Sequence, residues 1–311
     1  MTGAVPATYT ALPTTTAREK PTTGSYGEPE EMFRLSIDLV SPPVEALRQI
    51  DEWGAATAAA GVTRDGELVA THGPRDSILH WASVTKPVSV MAVLVAAEEG
   101  TVDLDESVGP EGSTLRHLLS HASGLPFKPG MPSNAPERRR IYSNVGIETA
   151  ADHVARAAGM PFERYLAEGV LEPLGMRAEL RGSPAADLFG DLDDLLRFAV
   201  ELQRPTLIAQ ETLDEATTVQ FPGLVGVVPD VGRFDPNDWG LGFELKDAKQ
   251  PHWTGSRNSP RTFGHFGGTG TFLWVDPEAG LALGCLTNRE FGPWALEAWP
   301  RLSDAVLAEE A

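Results

Sequence analysis

Cysteine is almost absent from these 311 residues: Cys285 stands alone, so no internal disulfide can form. It lies in the apolar run Leu281 to Leu286, where a small buried thiol packs as a hydrophobe. No residues around it suggest a Cys–His nucleophile. Basic side chains are also scarce, 25 against 44 acidic ones, for a net charge of −19. A phosphate backbone needs a basic footprint, so nucleic acid is excluded as a partner, and an anionic membrane surface on the same ground. No apolar run is long enough to span a bilayer. The first positively charged side chain is Arg18, and no apolar stretch follows it as in a secretory signal, so the expected location is cytoplasmic.

What the chain does have is organised around residues 82–100. Ser83 reads as the N-cap or first-turn residue of a helix, and Pro87 is tolerated in a first turn. Val88 to Ala97 is apolar on nearly every face, which predicts a helix packed all round, and Gly100 ends it. Ser83 and Lys86 are three apart and share one face of the first turn. A lysine opening such a helix is partly desolvated, its pKa falls, and it can take the serine proton.

Residues 1–31 are rich in Thr, Pro, Gly and Ala and read as a disordered tail. In 32–56, Val44, Leu47, Ile50 and Trp53 recur at three-residue steps and predict a partly helical segment. Thr57 to Thr71 reads as a hairpin turning at Arg64-Asp65-Gly66. Beyond the central helix, a short helix opens at Ser113-Thr114 and runs through Ser120. A proline-rich loop covers 126–140 and ends in Arg138-Arg139-Arg140. Helical pattern returns over 145–170, and Asp191 caps a further helix. From 239 the period changes: Trp239–Phe243, Gly270–Val275 and Leu281–Leu286 are strand-like, with a turn at Asp276–Gly280 and a terminal helix from about Trp294. Strands at both ends with helices between predict an α+β fold. Its antiparallel sheet is built from both chain ends and flanked by helices, with a mostly helical lobe inserted. The expected division is a tail over 1–31 and one domain over 32–311. Within it, one lobe covers about 32–100 and 226–311, and the helical lobe about 101–225.

Two further stretches carry chemistry. Tyr142-Ser143-Asn144 follows the arginine-rich loop; Tyr142 can share or relay a proton if a nearby cation favours its phenolate, and Asn144 can clamp a substrate carbonyl or amide. Gly264-His265-Phe266-Gly267-Gly268-Thr269-Gly270 is a glycine-rich strand edge against which a substrate can lie. Its N–H groups and that of Ser83 could form an oxyanion hole. His117 and His121 stand four apart, yet Leu118 occupies the place of a zinc-protease glutamate and no third ligand is evident, so a structural role is expected and no metal. There is no Gly-x-Ser-x-Gly elbow, and no Gly-Lys-Ser/Thr follows the glycines as in a phosphate loop.

Together, Ser83-Val84-Thr85-Lys86, Tyr142-Ser143-Asn144 and His265-Phe266-Gly267 make the chain resemble the serine β-lactamase and penicillin-binding-protein superfamily. It is most similar to class C β-lactamases, related esterases and DD-peptidases. Arg116 to Leu125, Pro173-Leu174-Gly175-Met176 and Trp274-Val275-Asp276-Pro277 add to the likeness, which covers roughly residues 45–290. The resemblance implies that Ser83 is acylated and that Lys86 and Tyr142 act as general base and acid. It further implies that Asn144, His265 and Gly267 bind substrate, that the N–H groups of Ser83 and Gly268 hold the oxyanion, and that no cofactor is used. Many β-lactamases carry lysine where this chain has His265. A histidine mostly neutral near pH 7 is a poorer anchor for a substrate carboxylate, which favours neutral esters. Arg289 could still bind a carboxylate, though a surface salt bridge is the expected role. The expectation is a serine hydrolase acting on small ester, amide or lactam substrates, esterase-like. The alternatives are a β-lactamase, DD-peptidase or acyltransferase on the same site, or a silent binding protein. Oligomeric state is open.

Overall fold

The computed structural model describes residues 44–310; the expected disordered tail lies outside them. The three-residue spacing of Leu47, Ile50 and Trp53 becomes a 3₁₀ helix over Glu45–Glu52, whose repeat is three. Two strands follow, β1 (Ala58–Arg64) and β2 (Glu67–His72), joined at the expected turn, then β3 (Leu79–His80). The central helix α1 is Thr85–Glu98, followed by α2 (Leu115–Leu119), α3 (Asn144–Ala158) and α4 (Phe162–Leu166). Short strands β4 (Glu179–Leu180) and β5 (Leu188–Gly190) pair with β3, and α5 (Leu192–Gln203) and α6 (Gln210–Ala216) complete the helical middle. The C-terminal third contributes β6 (Gly226–Val228), β7 (Gly232–Phe234), β8 (Glu244–Leu245), β9 (Phe263–Gly267), β10 (Thr271–Asp276), β11 (Leu281–Thr287) and α7 (Pro293–Glu309).

The main sheet has the order β2-β1-β11-β10-β9-β8, antiparallel throughout, so both ends of the chain build it, as the element order predicts. Its inner strands β1, β11, β10 and β9 are largely buried on both faces, and the period of two sorts their side chains. Phe272, Trp274, Leu283 and Cys285 face one core with Trp299, Val306 and the 3₁₀ helix. Leu273, Val275, Ala282 and Leu286 face the other with α1 and α5. Gly61 and Gly284 lie opposite each other in β1 and β11. A Cβ on Gly61 would stand 2.6 Å from Leu196, and one on Gly284 2.9 Å from Leu195, so their bareness lets α5 sit close on the sheet.

Helix α1 is buried from Thr85 through Ala96, as its all-round apolar sequence predicts, and Gly100 beyond its end has φ +73°. Asp191 caps α5 by accepting from the Asp194 N–H. Three expectations are corrected. The helical pattern over 145–170 is interrupted at Gly159 (φ +67°), where α3 ends, and resumes at α4 after Pro161. Trp239–Phe243 is not a strand: the Gly240 N–H turns back to the Phe243 carbonyl, those of Leu241 and Gly242 reach the Ala216 and Leu119 carbonyls, and only Glu244–Leu245 joins β9. Ser83 is not the cap of α1. It sits inside a single 3₁₀ turn, Ala82–Val84, that feeds α1, and its hydroxyl makes no capping bond.

Candidate active site

The turn carrying Ser83 is gripped from two sides. The Thr271 hydroxyl donates to the Trp81 carbonyl (2.9 Å) and the Thr269 hydroxyl to that of His80 (2.7 Å), fastening the turn to β10 and its preceding loop. On the other side the Trp81 N–H donates to the Leu188 carbonyl at 2.9 Å. Ala82 is held at φ +46°, a left-handed conformation disfavoured for a residue with a Cβ and tolerated where surrounding bonds over-determine it. Gly267 lies behind this turn rather than on the cleft wall. A Cβ there would stand 2.5 Å from the Trp81 carbonyl oxygen.

Since no cap engages Ser83, its Oγ is free to face Lys86, whose Nζ lies 3.1 Å away. The amine also donates to the Ala185 carbonyl at 2.8 Å. Lys86 has no exposed surface, and burial lowers its pKa from 10.5 to about 7 although the Glu148 carboxylate pulls the other way. A neutral amine is thus present at ordinary pH. Tyr142 closes the group. Its ring lies under Lys86 Nζ at 4.6 Å, and its hydroxyl is hydrogen-bonded with Ser83 and stands 3.4 Å from His265 Nε2. Burial raises the Tyr142 pKa above its usual value, outweighing the hydrogen bond from Ser83, so the group is a neutral phenol.

The His265 Nδ1–H donates to the Phe266 carbonyl at 2.7 Å, which leaves Nε2 as an acceptor toward Tyr142. Burial first, then the Lys86 charge, bring His265 down to about 3, so it is uncharged. His121, predicted to be structural, accepts the Ser143 N–H at Nδ1 (3.2 Å) and packs its ring against Tyr142 and Trp239. His117 instead accepts the Thr114 N–H and faces Glu137, so the two histidines serve different partners. Asn144 begins α3 with its N–H on the Phe127 carbonyl; its Oδ1 is buried without a hydrogen-bond partner.

Ser83, Tyr142, His265 and Gly268 line one cleft of about 230 Å³. Its walls are largely aromatic: Phe127, Trp239, Phe266 and Phe291. Glu244 lies at its floor, fully buried, with Lys249 at 2.8 Å, His252 at 2.7 Å and the Trp253 Nε1–H at 2.8 Å. Burial pushes this carboxyl up, but His252 and Lys249 together more than offset it and bring it to about 2. The described lining holds no arginine or lysine, while Asp230 and Glu290 stand at its exposed rim. Arg289 turns away: it donates to the Trp53 carbonyl and stacks on Trp294 at 4.6 Å. It has no carboxylate partner among the described residues, contrary to the expected salt bridge. A larger cavity, about 460 Å³ beside Gln203 and Arg261, lacks the serine–lysine pair.

The Trp and Pro content of 239–260 suggests an aromatic wall, and Trp239 supplies part of it, whereas Phe127, Phe266 and Phe291 share no motif with it. Arg140 reads from the sequence only as part of a covering loop. It is a buried brace, donating to the carbonyls of Ser120, Gln220, Phe221 and Asn237.

An antiparallel sheet made by both chain ends, with helices between and a Ser–x–x–Lys pair held against β9 and β10, fits the serine β-lactamase and penicillin-binding-protein superfamily. The chain belongs to the Beta-lactamase family, a family of hydrolases, whose model matches residues 44–178 and 177–307. A crystal structure of a β-lactamase from Mycobacterium bovis is 50% identical, with TM-score 0.84 over 85% of this chain and 99% of that one. EstCE1, a hydrolase with promiscuous acyltransferase activity, shares the fold at 18% identity, with TM-score 0.69 over 89% of this chain and 99% of that one. Among curated proteins, penicillin-binding protein 4* of Bacillus subtilis (strain 168) is 24% identical over 251 residues, 66% of this chain and 54% of that protein. The D-alanyl-D-alanine-carboxypeptidase/endopeptidase AmpH of Escherichia coli (strain K12) is 27% identical over 169 residues, 42% of this chain and 43% of that protein. The chain thus spans about half the length of these curated relatives or less. Among the described residues no helix is long and apolar enough to cross a membrane.

Proposed function

We propose that the protein is a serine hydrolase that cleaves small, uncharged carboxylic esters through an acyl-Ser83 intermediate. The observation that carries this reading is the 3.1 Å contact between Ser83 Oγ and a fully buried Lys86 whose pKa is about 7. The neutral Lys86 amine takes the Ser83 proton as Oγ attacks the ester carbonyl. The N–H groups of Ser83 and Gly268 receive the oxyanion. Tyr142, a neutral phenol, hands a proton to the departing alkoxide and recovers one from Lys86. Water then attacks the acyl carbonyl by the same steps in reverse, releasing the acid and restoring Ser83. Asn144 and His265 orient the substrate, and Gly267 lets β9 pack against the turn that presents Ser83. The same reading treats the described chain as one hydrolase domain with the two lobes expected from the sequence.

The charge of the cleft favours neutral esters over carboxylate-bearing peptides and β-lactams. Its described lining offers no arginine or lysine, His265 is uncharged, and Asp230 and Glu290 would repel an anion at the rim. Against this stands the naming of AmpH as a D-alanyl-D-alanine carboxypeptidase. The test compares turnover of p-nitrophenyl butyrate, a chromogenic cephalosporin and a D-alanyl-D-alanine peptide, with Ser83→Ala as blank. Ester cleavage at least about tenfold more efficient than the other two is expected, a difference of roughly 1.4 kcal/mol in transition-state binding. Cephalosporin or peptide turnover at equal efficiency would overturn the ester preference, and no turnover of any would favour a binding protein.

A further inference from the structure

Glu148 lies on α3, half-buried, six residues beyond Tyr142. Its carboxylate accepts the Ser183 hydroxyl at 2.6 Å. Ser183 opens a strap, residues 183–188, several of whose backbone groups bond to the Ser83–Lys86 region. The Pro184 carbonyl accepts from Ser89 (2.7 Å) and the Ala185 carbonyl from Lys86 Nζ (2.8 Å), while the Leu188 N–H donates to Thr85 Oγ1 (3.0 Å). The strap is curled by its own first residue. Ser183 Oγ accepts the Ala185 N–H at 3.1 Å, and Asp187 Oδ2 accepts the Ser183 N–H at 2.7 Å. One hydroxyl therefore links Glu148 directly to the peptide unit beside the carbonyl that holds the lysine amine.

We propose that Glu148 is a positioning residue of the Ser83–Lys86 pair: through Ser183 it fixes the strap that holds the Lys86 amine, and it supplies the negative charge of that surround. This rests on the acyl-serine reading above. The other groups facing Lys86 do not replace that charge. Tyr142 from the start of α3, His121 from the turn after α2 and His265 from β9 are all neutral, each held so by burial first. On the strap, Asp187 pairs with His80 at 3.3 Å. Glu148 is the anion that works against the burial of Lys86.

The test is the pH profile of kcat/KM for p-nitrophenyl butyrate from about pH 5 to about pH 9, where a required neutral base gives a rising limb. Glu148→Gln keeps an acceptor for Ser183 and removes the charge. Its limb is expected to move to lower pH by roughly half a unit or more, with the plateau within about threefold of wild type. Ser183→Ala keeps the charge and breaks the link. Its plateau is expected to fall by about threefold to tenfold with the limb in place. If Glu148→Gln does not fold, Glu148→Asp carries the charge test: its limb stays at the wild-type pH, and a shifted limb would overturn the proposal. A Glu148→Gln limb at the wild-type pH, whether or not the plateau drops, overturns the charge role, and a wild-type profile in Ser183→Ala overturns the link. An inactive wild-type protein would instead refute the hydrolase reading itself, and the positioning role with it.

Discussion

Replacing Lys86 by methionine should abolish turnover and, at mildly acidic pH, make the protein more stable. The unfolded chain binds the lysine proton up to pH 10.5, and the native protein only up to about 7. Between those values the unfolded state holds more protons, so native stability rises with pH by about 1.4 kcal/mol per pH unit. Below about pH 7 both states are protonated, and the whole cost of burying the ammonium, about 4 to 5 kcal/mol, is present. Methionine has a similar length and no charge, so it removes that cost. It also strips a donor from the Ala185 carbonyl and from Ser83 Oγ, at about 1 kcal/mol each. The net gain is about 2 to 3 kcal/mol near pH 6 and close to zero near pH 9. In thermal unfolding followed by circular dichroism, Tm should rise by about 4 to 6 °C at the lower pH and hardly at the higher. A Lys86→Met protein less stable than wild type near pH 6, or a gain of equal size at both pH values, would refute the argument. The expected outcome is a trade of stability for a base that works at neutral pH.

Two further substitutions test the scaffold around the site. Arg140→Ala leaves four buried or half-buried carbonyl partners without their donor and opens a void, and should cost about 3 kcal/mol or more in urea unfolding; a loss below about 1 kcal/mol would deny it the bracing role. Gly267→Ala forces a Cβ against the Trp81 carbonyl and Thr271 behind the Ser83 turn. Ester turnover should fall by about tenfold or more, and wild-type kcat would show that the turn tolerates the displacement.

Much of this was legible because it is local or periodic. Ser83 and Lys86 meet because three residues make one helical turn. β10 and β11 announce themselves because Leu273 and Val275 face one core while Phe272 and Trp274 face the other. Of the two positions the sequence leaves open for Ser83, N-cap or first turn, no local signal chooses, because both suit a serine; what decides is the 3₁₀ turn at Ala82–Val84, fixed by Thr269 and Thr271 nearly two hundred residues away. Trp239–Phe243 looks like a strand by composition, yet its backbone bonds go to Ala216 and Leu119, partners no local pattern can name. The same holds for the Ala185 carbonyl and Glu148: a backbone acceptor carries no sequence signature, and an acidic residue on a helix looks like any other until the fold brings a strap beside it.

The central claim is that Ser83 carries the acyl group. Its most direct test mixes protein with p-nitrophenyl butyrate, quenches in acid within the first turnovers, and maps the adduct by peptide mass spectrometry. A butyryl group on the peptide containing Ser83, absent from Ser83→Ala, is the expected result. A butyryl group on another residue, or an adduct that persists with turnover in Ser83→Ala, would contradict the account.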